Sequence, residues 1–153
     1  MRINKSINGV NHFRVRLGMG ITILGLLIYL LGVDPALFGL DRSPVMGFVQ
    51  IATLLVGLAI LCLSGFMTLN SLWNGSQKSI SADIGLRLVA TGYLVVVASS
   101  MADLLGFGNH TFPAIPYLGP LQAIGVIIGE IAIVAGFIMM VPYPRRDQKT
   151  GLV

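Results

Sequence analysis

Charge and cysteine are what this sequence has least of. Only 10% of its 153 residues are charged, whereas a soluble domain carries roughly 25%. Hydrophobic residues make up 55% of the chain, more than a core of this size can bury, so most of the surface must face lipid. The composition excludes an ordinary soluble domain and predicts an all-α membrane protein.

The scarcity of metal-binding and nucleophilic side chains excludes several chemistries. A single cysteine, Cys62, cannot form an intrachain disulfide, a CxxC redox pair or a thiolate cluster, and its apolar surroundings suggest a small packing residue. His12 and His110 are predicted on opposite sides of the membrane, so they cannot share a metal or a haem. The sequence has no serine triad, HExxH or Walker-type pattern. We therefore expect no catalytic residues, no cofactor and no bound metal.

Long apolar runs are what the sequence has most of. Each approaches or exceeds the roughly 20 residues that cross a hydrocarbon core of about 30 Å. The first run follows a basic stretch, as in a signal peptide, but no small-x-small cleavage site follows it, which favours a retained span. The sequence predicts one membrane domain over residues 1–153, with spans at Val15–Val33, Val45–Leu69, Ile84–Leu105 and Leu121–Val141.

The basic residues determine the predicted orientation, because cytoplasmic loops carry an excess of lysine and arginine. With the N-terminus inside, nine of the ten basic residues lie on or near the inner side, and only Arg42 falls in an outer loop. We expect a multi-pass protein of a bacterial inner membrane with both termini cytoplasmic. The net charge of +4 is then explained by orientation, and we expect no nucleic-acid partner. The first predicted partner is the lipid bilayer. The nine are Arg2, Lys5, Arg14, Arg16, Lys78, Arg87, Arg145, Arg146 and Lys149.

Every predicted span carries a stripe of small or polar residues at helical spacing. Such residues let membrane helices approach closely. The 19 glycines would form some stripes by chance, but one stripe in each span favours packing faces and predicts a compact four-helix bundle. The stripes are Gly18, Thr22, Gly25, Tyr29 and Gly32; Gln50, Thr53, Gly57, Ser64 and Thr68; Gly85, Gly92, Ser99 and Asp103; and Gln122, Gly125, Gly129, Ala132 and Gly136.

The second and fourth spans resemble each other. Gly47–Gly57 matches Gly119–Gly129 at a constant offset of 72. We interpret this as a tandem duplication of a helical hairpin, with halves 14–72 and 85–144 related by an axis along the membrane normal. The alternative is convergence of two loop-to-helix junctions. The duplication predicts that Gln50 and Gln122 occupy matching places near the outer surface. Together with Asp103 and Glu130, they are the predicted candidates for binding a ligand or handling a proton.

Glu130 is the sharpest functional clue, because it lies near the midplane of the fourth span. A charged acid there costs about 2.5–3.5 kcal/mol on insertion scales. One interpretation is a carboxylate that handles a proton or cation, or contacts a bound headgroup, quinone or amine. The other is a neutral acid that donates one hydrogen bond to a neighbouring helix or a partner subunit. Helical projection places Glu130 beside the glycine stripe, at the edge of the tight contact.

Other polar residues of the spans are predicted to lie near the membrane surfaces. Asp103 is interpreted as an interfacial acid close to water, or as a bond to the neighbouring loop. Arg87, with Asp83 four residues before it, is interpreted as a snorkelling residue that helps to set orientation. Trp73 is placed in an aromatic belt.

Two classes of function remain open. The preferred one is a non-catalytic accessory or scaffold subunit that packs against other membrane proteins, because the loops are short and no soluble domain is present. The alternative is a small homo-oligomeric transporter or channel-like protein that uses Glu130 for proton or cation coupling. Four helices rarely enclose a path alone, so this alternative requires self-association.

Overall fold

The structure is a computed structural model that describes residues 12–40, 47–73, 79–103, 105–106 and 118–142. Within these ranges the protein is all-helical, as predicted. It consists of α1 (His12–Val33), a 3₁₀ helix (Pro35–Phe38), α2 (Phe48–Leu72), α3 (Ile80–Ser100) and α4 (Pro120–Met140). All four α-helices are long and apolar enough to cross a membrane. This confirms the predicted class of four-helix membrane protein.

The third helix differs most from its predicted span, since it begins at Ile80 and ends at Ser100. The Ser79 hydroxyl accepts a hydrogen bond from the Ala82 amide at 3.1 Å and so caps the helix before the apolar run begins. At the other end a hydrogen-bonded turn follows, and Gly106 has a φ of 80°. Hydropathy marks the membrane segment, whereas caps and turns mark the helix ends.

A 3₁₀ turn ends the first hairpin arm. Asp34 accepts a hydrogen bond from the Ala36 amide at 3.1 Å, and Pro35 has no amide with which to continue α1. Gly39 closes the turn with a φ of 66°, where a side chain would be strained. The rest of this loop, residues 41–46, lies outside the described residues.

The helices are arranged as two hairpins. α1 packs along α2, and α3 packs along α4, in each case antiparallel. α2 touches α3 and α4 more lightly, and the backbone of α1 approaches neither of them. We call the end where α1 begins and α4 finishes the terminal end, the opposite end the loop end, and the boundary between the hairpins the seam.

In the first hairpin, the predicted stripes of α1 and α2 face each other. A methyl group on Gly18 would collide with the Thr68 side chain, and one on Gly32 with the Leu54 backbone. Gly25 packs against Ile60, where the added carbon would lie 2.8 Å from Cγ2. The hydroxyl oxygens of Thr22 and Ser64 lie 3.0 Å apart midway along the contact. The spacing of seven between the glycines therefore corresponds to one continuous close contact.

In the second hairpin, glycine meets glycine. Carbons added at Gly92 and Gly129 would each lie 2.7 Å from the other residue's carbonyl oxygen, and Gly85 and Gly136 are paired in the same way. Gly125 packs against the Ser99 side chain. The GxxxG step of α4 thus lies in the α3–α4 contact, as close backbone packing in membranes requires.

The remaining helix surface is apolar and faces outward. Between 17% and 33% of the residues in each apolar stretch are buried. Large side chains such as Ile23, Leu63, Leu94 and Ile131 are more than half exposed. A surface of this kind fits a hydrocarbon surrounding and indicates an integral membrane protein.

Candidate functional site at the seam between the hairpins

Three aromatic side chains of the described helices donate hydrogen bonds across the seam. They join the hairpins at three depths. On the loop side the Tyr93 phenol donates to the Leu55 carbonyl at 3.4 Å, and in the middle the Tyr29 phenol donates to Glu130 Oε1 at 2.6 Å. At the terminal end the Trp73 indole donates to the Met140 carbonyl at 3.0 Å.

The Tyr29–Glu130 pair is the central feature of the seam. Glu130 lies near the middle of the 21-residue helix α4, and both side chains are half-buried. The distance of 2.6 Å is at the short end for an O–H···O hydrogen bond. The pair therefore connects α1 to α4 although their backbones do not meet.

Gly57 explains why Tyr29 can reach Glu130. A methyl group on Gly57 would collide with the Tyr29 backbone, so the backbones of α1 and α2 are in close contact at this point. Side chains of a helix lean toward its N-terminus. The phenol is thus directed from Tyr29, near the end of α1, toward the midplane where Glu130 lies.

The geometry modifies the interpretation of Glu130. Its carboxyl group is bonded to a neighbouring helix of the same chain, as the structural interpretation supposes, and the partner is the Tyr29 phenol of α1. Its position at the edge of the glycine contact agrees with helical projection, since Gly129 is buried and Glu130 is half-buried. The reach of a tyrosine from α1 was not foreseen.

Gln50 and Gln122 lie three residues after the N-cap glycines of their helices, Gly47 and Gly119. The Gln122 side-chain oxygen accepts a hydrogen bond from the Gly119 amide at 3.0 Å and satisfies one of the free donors at the start of α4. Gln50 is half-buried at the equivalent place of α2. For Gln122 this is a capping role rather than a ligand-binding one.

Asp103 is buried, and its two interpretations, an interfacial acid close to water or a bond to the neighbouring loop, stay predictions. It follows the end of α3 and is only 7% exposed, because it continues the packed face that includes Gly92 and Ser99. Among the described residues, its Oδ1 is the one buried side-chain oxygen without a hydrogen-bond partner. The predicted partner loop, residues 106–120, lies mostly outside the described residues.

The four candidate residues do not form one site. Glu130 lies at mid-depth, whereas Gln50, Asp103 and Gln122 lie near the loop end of their helices. Arg87 pairs with Asp83 at 3.3 Å on an exposed face of α3, as their spacing predicts. Within the described ranges, no three His, Cys, Asp or Glu side chains come together in a metal-binding group.

Comparison with known proteins gives no relative: no family model, no curated protein and no solved structure matches this chain.

Proposed function

We propose that this protein is a non-catalytic accessory or scaffold subunit of a larger membrane assembly. The observation that carries the proposal is the hydrogen bond between Tyr29 and Glu130. An acid at mid-membrane is costly, and such residues usually have either a transport role or a structural partner. Here a partner from the other hairpin is present, which supports a structural role for the acid.

The contact with other subunits is assigned to the outward face of α1. The small-residue stripes are already used inside the two hairpins, so they are not available to partners. The backbone of α1 lies against only one other long helix, α2, and α1 is the least buried of the four, with 17% of its apolar stretch buried. Gly20 on this face has no atom within 4 Å of an added methyl group, so a partner helix has room to approach closely there.

The test is extraction at native expression level into mild detergent or nanodiscs, followed by mass spectrometry of intact assemblies. We expect reproducible stoichiometric association with a larger membrane protein. Gly20→Leu should reduce that association while leaving the isolated bundle as stable as the wild type. Leu94→Ala, on an exposed position of α3, serves as the control on another face. Recovery of the protein only as copies of itself would contradict the proposal.

The duplication belongs to the proposal as the origin of the two hairpins. It is supported by the paired N-cap glycines Gly47 and Gly119, and by close backbone contacts at Gly57 and Gly129, 72 residues apart in each case. The halves have diverged at these contacts, since Gly57 meets Tyr29 whereas Gly129 meets Gly92 and Val96. This divergence gives only the first hairpin the phenol that reaches Glu130.

Both termini are proposed to lie in the cytoplasm of a bacterium, with the protein in the inner membrane. Four crossings return the chain to its starting side, and the basic residues favour the cytoplasm for that side. Reporter fusions at each terminus test the assignment, and opposite reporter outcomes at the two termini would contradict four crossings.

A second candidate is a homo-oligomeric proton- or cation-coupled transporter. The observation in its favour is that Glu130 lies at mid-depth and is only partly buried, so this ionisable side chain is within reach of a second copy of the chain. Glu130→Gln keeps the shape and the acceptor but removes the titrating group. Loss of proton-dependent flux in proteoliposomes with the bundle intact would favour this candidate over the accessory subunit.

A further inference from the structure

A cavity of about 320 Å³ lies between α2 and α3, on the apolar part of the seam. It spans the middle of both helices, from Ala59 and Tyr93 toward Phe66 and Leu86, a length of about 10 Å at the helical rise of 1.5 Å per residue. The small side chains of Ala59 and Ala90 leave this space open. Its walls are formed by Ala59, Cys62 and Phe66 of α2 and by Leu86, Ala90 and Tyr93 of α3.

The lining limits the class of ligand. The walls are almost entirely hydrocarbon, and the Tyr93 phenol is directed to the Leu55 carbonyl. An ordered water molecule needs two to four polar partners, which these walls do not provide. The ligand must therefore be apolar.

The shape limits the ligand further. Toward the loop end Tyr93 bridges the two helices by its hydrogen bond to Leu55. A membrane-spanning partner helix, about 10 Å wide, does not fit into a space of about 320 Å³. A thin flexible chain that enters from the side can fit.

The surroundings supply such a chain. The cavity is open on one side and is continuous with the lipid-facing surface through Leu63, which is 66% exposed, and Ala90, which is also exposed. At mid-depth that surface meets the ends of the lipid chains. We propose that the cavity between α2 and α3 binds the hydrocarbon chain of a membrane phospholipid, which completes the seam where the two hairpins do not pack directly.

The site is tested by a substitution that fills the cavity, and the readout is the amount of phospholipid that the protein retains. Wild-type protein in phospholipid nanodiscs is transferred to detergent, and the bound phospholipid is counted by native mass spectrometry. Ala90→Phe should lower the lipid-bound fraction by about fivefold, because the ring occupies the space of the chain and removes its packing contacts. Ala98→Phe is the matched control, an exposed alanine of α3 that does not line the cavity. Equal retention by the two variants would overturn the proposal.

A second measurement on the wild-type protein keeps the test decisive if Ala90→Phe does not fold. Phospholipids that carry a diazirine near the chain end are photo-cross-linked in nanodiscs and the adducts are located by mass spectrometry. Adducts concentrated in residues 59–66 and 86–93, relative to other lipid-facing stretches, are expected. Adducts spread evenly over the four helices would overturn the proposal.

Discussion

At the scale of single residues, Glu130 occupies the middle of α4, where a buried acid is most expensive. Tyr29 provides its hydrogen bond, and Gly57 allows the backbone of Tyr29 to come close enough to α2 for the phenol to extend toward α4. These three residues act together although they lie on three different helices. The sequence indicated the acid and its depth, but not its partner, because the partner depends on how the hairpins are placed.

Removing the Tyr29 hydroxyl group should lower the stability of the protein modestly. Hydrogen bonds between membrane helices contribute about 0.6 kcal/mol on average and at most about 1.7 kcal/mol. We expect Tyr29→Phe to lower the free energy of unfolding by about 0.6–1.7 kcal/mol. The change is measured by SDS titration in mixed micelles. In a double-mutant cycle with Glu130→Leu, the coupling energy should have the same size. Additive effects of the two substitutions would show that the hydrogen bond contributes nothing.

Glu130→Gln should be nearly neutral for stability, because the amide oxygen still accepts from the Tyr29 phenol. Glu130→Leu should be worse, since it leaves a half-buried hydroxyl without its acceptor. The comparison of the two variants in the same unfolding assay separates the hydrogen bond from the charge. A large loss of stability with Glu130→Gln would mean that the carboxyl group has a role that an amide cannot fill.

At the scale of elements, the hairpins are determined by small residues at the helix contacts. The spacing of these residues could be recognised in the sequence because backbone contact demands glycine wherever it occurs, as at Gly92 and Gly129. The end of α3 at Ser100 and the burial of Asp103 could not be recognised in the sequence. Caps, turns and the packing beyond a helix end depend on local geometry that hydropathy does not record.

Gly129→Ala should destabilise the second hairpin. The added methyl group would lie 2.6 Å from Val96 Cγ2 and 2.7 Å from the Gly92 carbonyl oxygen, and overpacking of this kind costs about 1–3 kcal/mol. Gly20→Ala is the matched control, because nothing lies within 4 Å of the added carbon. We expect the control to unfold at the same SDS fraction as the wild type or slightly higher. Equal stability of the two variants would mean that the close α3–α4 contact is wrong, and Gly129→Leu should disrupt it outright.

At the scale of the whole molecule, two compact hairpins meet along a seam that is lightly packed. The seam has three aromatic hydrogen bonds at different depths and an apolar cavity between α2 and α3. This arrangement was not predictable from the sequence, because the stripes show which helix faces are packed but not which helices they pack against. The short connections favour hairpins, whereas the phenol and indole contacts can be seen only in three dimensions.

Each hairpin should behave as a separate unit. Co-expression of residues 1–76 and 77–153 as two fragments should give a complex that co-purifies, since α1 with α2 and α3 with α4 remain intact. Joint substitution of Tyr29→Phe and Trp73→Phe should reduce the recovery of the complex while leaving each fragment helical by circular dichroism. Fragments that never associate would show that the seam does not hold the hairpins together without the connecting chain.

The proposed function requires that the protein works as a subunit of a larger assembly and not alone. The decisive measurement is mass spectrometry of intact assemblies extracted at native expression level, made in parallel on wild type and Glu130→Gln. For an accessory subunit we expect the same stoichiometric association with a larger membrane protein in both samples, because the introduced amide oxygen still accepts the hydrogen bond from Tyr29. A homo-oligomer without other subunits, with proton-dependent flux that Glu130→Gln abolishes, would contradict it.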